Sequence, residues 1–144
     1  CFINSDTKII SRLIDGKFPN FEQVIPRSFQ TSFKANKKEF LETIERASLF
    51  IDTVDNLSIV KLVITDSNVN ITSTSETGFI NENINAYVEG DKLEISFNSR
   101  YLIEALKIID TDDIEFKFSG SLSPAIMKET NDNYTYLVLP LRIS

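Results

Sequence analysis

The apolar positions along this chain change their spacing several times, and each change marks an element. In SFQTSFKA, residues 28–35, Phe29, Thr31 and Phe33 alternate with their neighbours at the two-residue period of a strand. NKKEFLETIERASLFI then moves to the helical period. Phe40, Ile44, Ala47 and Ile51 share one stripe, with Leu41 and Ser48 beside it. Asn36 followed by Glu39 is a capping-box pattern, so the spacing predicts a helix over 37–51. LSIVKLVIT, NVNITSTS and GFINENINAYVE read as three strands, with Asp66-Ser67-Asn68 and Glu89-Gly90-Asp91 as turns.

The same succession then repeats. KLEISF alternates Leu93, Ile95 and Phe97 inward against Lys92, Glu94 and Ser96 outward. Asn98 caps SRYLIEALKII, whose apolar stripe is Leu102, Ala105, Leu106 and Ile109, with Arg100, Glu104 and Lys107 opposite as mutually supportive neighbours. DIEFKFSG, SPAIMKE and YTYLVLPLRI follow as strands, separated by Ser119-Gly120-Ser121 and Asn131-Asp132-Asn133. From residue 29 the order is therefore βαβββ twice over, with little sequence identity between the halves. Upstream, CFIN and TKIISRLI read as a hairpin, and IDGKFPNFEQVIP as an irregular connector. A helix covers one face of a sheet, so the economical architecture is α+β, with antiparallel sheets and two helices on one side.

The last stretch, YLVLPLRIS, is apolar on both faces. Leu137, Leu139, Leu141 and Ile143 point one way, Tyr136 and Val138 the other. Core burial accounts for one face and leaves the second as a patch in need of a cover, from a partner or from the connector. Pro140 suits an edge, where a missing ladder donor costs little.

At 144 residues, 42% hydrophobic and 25% charged, the chain suits one globular domain, and no apolar run approaches a membrane span. It opens directly into strand-like sequence without an initiator methionine, which suggests a piece of something longer. One cysteine favours a reducing, cytoplasmic setting. The absence of histidine removes the commonest general base and zinc ligand, and with them serine and cysteine triads and Cys/His metal clusters. Asp110, Asp112 and Asp113 in IDTDD are neighbours without a shared helix face and read as a solvated turn. The lone glycines form no phosphate loop, so no cofactor is expected. The net charge of -6 argues against an open nucleic-acid surface, yet residues 1–50 carry eight Lys/Arg against six Asp/Glu. A basic feature could exist only locally.

RLIDGKFPNFEQVIP, ISFNSRYLIEALK and YLVLPLRI, set on a duplicated βαβββ unit, resemble the bacterial sliding clamp family, the beta subunit of DNA polymerase III. That resemblance implies the clamp fold, with residues 1–25 as the tail of a preceding clamp domain and connector, and 26–144 as a C-terminal clamp domain. It implies a non-catalytic, cytoplasmic bacterial processivity factor, a homodimeric ring around duplex DNA. Polymerase, clamp-loader and repair proteins would dock through short linear motifs of the type Gln-Leu-Ser/Asp-Leu-Phe. The cleft for those peptides would comprise Pro19, Val24, Asn98, Tyr101, Ser123, Leu137, Leu139, Pro140, Leu141 and Arg142. Lys37, Lys38, Arg46, Arg100 and Lys107 would face DNA phosphates without base readout, and Leu49 and Phe50 would meet the other subunit. A stand-alone peptide-binding adaptor without a ring is the alternative. A small hydrolase or transferase is disfavoured by the missing histidine.

Overall fold

Two asparagines start the two helices in the same way. The side chain of Asn36 accepts from the amide of Glu39 at 3.1 Å, and that of Asn98 from the amide of Arg100 at 3.0 Å. Each supplies an acceptor to an otherwise orphaned first-turn donor. A computed structural model describes residues 1–17, 20–50, 58–76, 78–130 and 134–142. Its strands are β1 (Phe2–Asn4), β2 (Thr7–Ile9), β3 (Thr31–Asn36), β4 (Ile59–Ile64), β5 (Asn68–Ser75) and β6 (Gly78–Asn85). Then come β7 (Tyr87–Gly90), β8 (Leu93–Asn98), β9 (Asp113–Phe118), β10 (Ala125–Glu129) and β11 (Thr135–Val138). Helices α1 (Lys37–Ala47) and α2 (Ser99–Ile108) follow β3 and β8.

β1 and β2 form a separate two-stranded hairpin, all of whose residues are exposed. The remaining strands make two antiparallel sheets, ordered β11-β10-β9-β3-β7 and β6-β5-β4-β8. The two halves exchange their first strands. β3 of the first half pairs with β9 of the second, and β8 of the second pairs with β4 of the first. Backbone bonds repeat the exchange at the helix starts: Lys37 donates to the Asp112 carbonyl at 2.8 Å, Ser99 to that of Ser58 at 2.9 Å. The near-repeat read from the sequence is thus an internal two-fold-like topology.

One hydrophobic core joins both sheets and both helices. At its centre Phe33 meets Phe40 of α1 edge-on at 5.7 Å between centroids, while Phe97 stacks on Phe116 of the other sheet at 5.7 Å. These rings are fully buried and supply apolar area to the core from α1 and from both sheets.

Several expected boundaries need correction. α1 ends at Ala47, capped by Ser48, rather than at 51, so Leu49 and Phe50 lie in the turn beyond the helix. Phe29 stands outside β3 and is partly exposed, with the Lys117 ammonium 6.0 Å from its ring centroid. GFINENINAYVE is two strands: β6 belongs to the four-stranded sheet and β7 to the five-stranded one, with the break at Ala86, whose amide donates to the Ser67 carbonyl. The terminal strand stops at Val138, and the amide of Leu141 donates to the carbonyl of Ser96 on β8. Ser96, expected to point outward, is buried. The end of the chain crosses from the outer strand of one sheet to the edge of the other, as β6 and β7 do in the first half.

Candidate functional site

The crossing divides the terminal segment into stretches with different surroundings. Val138 is buried and Tyr136 packs against the core from a half-buried position. Leu137 is half-buried and Leu139 is 64% exposed, so the second apolar face remains open at its centre. A groove of about 310 Å³ runs beside it, walled by Tyr101 of α2 and by Tyr136, Leu137, Val138 and Leu139. Burial raises the Tyr136 phenol above its ordinary pKa, with Glu104, Tyr134 and Tyr101 adding to the effect. The phenol therefore stays neutral, and the groove wall is an uncharged, largely apolar surface.

Beyond Pro140 a second groove of about 490 Å³ opens. Leu141 and Arg142, Ser121 and Leu122 of the neighbouring turn, and Ile95 and Ser96 of β8 line it. The Lys61–Glu94 ion pair, 2.5 Å long, adds charge to its lining. The terminal segment thus lines an aromatic and aliphatic groove before Pro140 and a mixed apolar and charged one after it.

Of the expected cleft residues, the structure brings Tyr101, Leu137 and Leu139 together in the first groove, and Leu141 and Arg142 into the second. Half-buried Pro140 lies between them. Ser123 sits in the neighbouring turn, its amide 3.4 Å from the Gly120 carbonyl. Asn98 is the α2 cap, its side chain engaged with Arg100. Val24 ends a 3-10 turn (Phe21–Gln23) and is exposed, as is Phe21. The connector reaches the body through Ser28, whose carbonyl accepts from Ser119 Oγ at 2.6 Å, next to the Ser121–Ser123 turn. Pro19 lies outside the described residues. Leu122 was not anticipated. An apolar residue alone in the serine-rich turn SGSLSP, 62% exposed, was the signal available.

The five cations expected to face DNA are each engaged within the chain. Lys37 Nζ donates to the Ile109 carbonyl at 2.9 Å, and Arg46 forms a two-point pair with Glu82. Lys38 pairs with Glu42, Arg100 with Glu104, and Lys107 with Glu45 across the two helices rather than with Glu104. Leu49 is 77% exposed, whereas Phe50 is half-buried beside Gly78.

The backbone of the IDTDD loop is bonded to neighbouring elements and to its own threonine. Asp112 receives the Lys37 amide, Thr111 Oγ1 donates to the Asp113 carbonyl, and the Asp110 amide donates to buried Glu129 at 2.9 Å. Among the described residues no three potential metal ligands converge, and no helix is long and apolar enough to cross a membrane.

Residues 22–142 match the family model described as the C-terminal domain of the DNA polymerase III beta subunit. The chain belongs to that family. It is similar to the beta sliding clamp of Staphylococcus aureus (strain Mu50 / ATCC 700699), 39% identical over 140 residues, which are 95% of this chain and 37% of the relative. The crystal structure of the sliding clamp from Bacillus subtilis aligns with a TM-score of 0.87 and 36% identity, over 93% of this chain and 36% of that one. A clamp from Pseudomonas aeruginosa, solved bound to griselimycin, aligns at 0.85 with 29% identity, over 92% and 36%. The chain therefore spans little more than a third of the length of these clamp relatives, and its two helices on antiparallel sheets are the clamp fold of the family.

Proposed function

We propose that this chain is the C-terminal part of a sliding clamp, a non-catalytic processivity factor whose complete ring encircles duplex DNA and tethers polymerase and other partners. The observation that carries the reading is the open groove beside Leu139, an exposed leucine between Tyr101 and a terminal segment whose core demand is already met by Val138. Partner peptides would seat Leu and Phe anchors against Tyr101, Leu137 and Leu139 and extend across Pro140 toward Leu141, Arg142 and Ser123, with Pro19 and Val24 of the connector flanking them. Asn98 contributes by holding the start of α2 and hence Tyr101.

In the same reading, residues 1–25 belong to the preceding clamp domain. The exposure of Phe2, Ile3 and Ile9 in the hairpin supports this, as apolar surface that a larger domain would cover. Leu49 and Phe50 lie at the contact with a second subunit, and Lys37, Lys38, Arg46, Arg100 and Lys107 line the face toward DNA. The bacterial cytoplasm is the setting.

An NMR titration of the isotope-labelled chain with a Gln-Leu-Ser-Leu-Phe peptide tests the groove. Shifts clustered at Tyr101, Ser123 and Leu137–Arg142, and lost in Leu139→Ala, are expected. Their absence at millimolar peptide, here and in a version of the chain extended upstream, would overturn the peptide-groove reading.

A further inference from the structure

Lys38, Glu42 and Glu45 follow one another along a stripe of α1, and Arg100, Glu104 and Lys107 along a stripe of α2. The offset that carries Thr31, at the start of β3, onto Leu93, at the start of β8, carries each member of the first trio onto its counterpart in the second. The first two positions repeat the same pair, Lys38 with Glu42 at 3.9 Å and Arg100 with Glu104 at 2.8 Å. At the third position the halves carry opposite charges, and these meet: Lys107 Nζ lies 2.8 Å from Glu45 Oε1. Arg46 is taken by Glu82 in the same manner. Four of the five cations on these helices are thus covered by carboxylates.

We propose that Glu45 and Glu104 are latches: they hold the outer faces of α1 and α2 near neutrality, so that a phosphodiester backbone reaches Lys107 and Arg100 only by displacing them. The proposal rests on the DNA-facing reading and adds what sets the grip. Exchange is accessible because the pairs are open to solvent, with side-chain exposures of 59% and 43% for Lys107 and Glu45, and 78% and 51% for Arg100 and Glu104. Such pairs are held weakly, and each phosphate contact is favoured by counterion release. The result is a surface that touches duplex DNA transiently and uniformly, which suits a protein that must move along it.

The test is fluorescence anisotropy of a short blunt-ended DNA duplex over a range of salt concentrations. The proteins are the unaltered chain, Glu45→Gln/Glu104→Gln, and each of these with Arg100→Ala/Lys107→Ala added, with circular dichroism verifying the fold. The double glutamine variant is expected to bind about tenfold tighter at low salt, with a log–log salt slope steeper by about one to two. Adding Arg100→Ala/Lys107→Ala is expected to abolish the gain. If the glutamine variant binds as the unaltered chain does, while Arg100→Ala/Lys107→Ala still weakens that binding, the latch is wrong and the DNA-facing reading stands. A gain that survives loss of Arg100 and Lys107 also overturns the latch, since bulk charge then explains it. Absence of binding by every protein at the lowest salt overturns the DNA-facing reading itself.

Discussion

The amide of Leu141 donates to the carbonyl of Ser96 across 2.8 Å, tying the end of the chain to the sheet opposite the one that holds β11. Pro140 stands just before that bond. Having no N–H, it loses nothing where the segment leaves one sheet and has not yet joined the other. The two apolar faces of YLVLPLRIS follow from this crossing. Tyr136 and Val138 serve the core, Leu141 and Ser96 meet at the far edge, and Leu139 between them is left open.

Stability and binding should therefore separate at adjacent residues. Val138→Ala removes a buried side chain and is expected to cost roughly 2 kcal/mol in urea unfolding. Leu139→Ala is expected to change stability by less than about 0.5 kcal/mol while weakening the Gln-Leu-Ser-Leu-Phe peptide at least tenfold, a typical effect for an anchor contact. A large stability loss in Leu139→Ala would mean that its side chain belongs to the core.

Gly90 closes β7 with φ at +94°, and a Cβ built there would lie 1.9 Å from the Gln30 carbonyl oxygen. Gly90→Ala must shift the backbone that carries β3 into the five-stranded sheet. The expected loss is about 2 kcal/mol or more by denaturant titration. Gly16, with open space around it, is the control and should accept alanine within about 0.5 kcal/mol.

Asn98 is expected to act on the groove through the helix it caps. Asn98→Ala should lower stability by about 1 kcal/mol and weaken peptide binding, whereas Asn98→Asp, which keeps the cap, should restore both. If the aspartate variant regains stability and not binding, the Asn98 amide contacts the peptide directly.

The Arg46 guanidinium, hydrogen-bonded to Glu82, holds that carboxyl below its ordinary pKa, and partial burial opposes the shift only in part. A lowered folded-state pKa means that stability is present in full above the unfolded value, about 4.5, and is lost as pH falls through the folded value. Glu82→Gln is expected to cost under about 1 kcal/mol at neutral pH and to narrow its deficit below about pH 4. A deficit that stayed constant from neutral to acid pH would assign the effect to packing. Thermal unfolding across that range reads the difference.

Periodicity reported most elements because each rests on local spacing and capping. The stripe Leu102–Ala105–Leu106 and the cap Asn98 appear in the structure as read, while Ile109, read as the last member of the stripe, is buried just past the end of α2 in extended backbone. Errors gathered where an element ends for a tertiary reason. Nothing between Asn85 and Tyr87 announces that the strand changes sheets at Ala86. Nor does Ser96 announce its burial, since what covers it arrives from the last residues of the chain. The candidate site shows the same division: Leu137 and Leu139 were legible as one face of a strand apolar on both sides, and Tyr101 through the family resemblance, while Leu122 became part of the site only when its turn was brought beside Leu141.

The sequence by itself determined the two capped helices, the alternating strands and their duplicated order, because hydrogen bonding and side-chain direction along a helix or strand depend on neighbours a few residues away. Tertiary structure alone decided which half's strand pairs with which, where the chain crosses between sheets, and which carboxylate holds which cation. Those outcomes depend on groups that meet from distant parts of the chain, as Glu45 meets Lys107 and Leu141 meets Ser96. No local spacing encodes such a meeting.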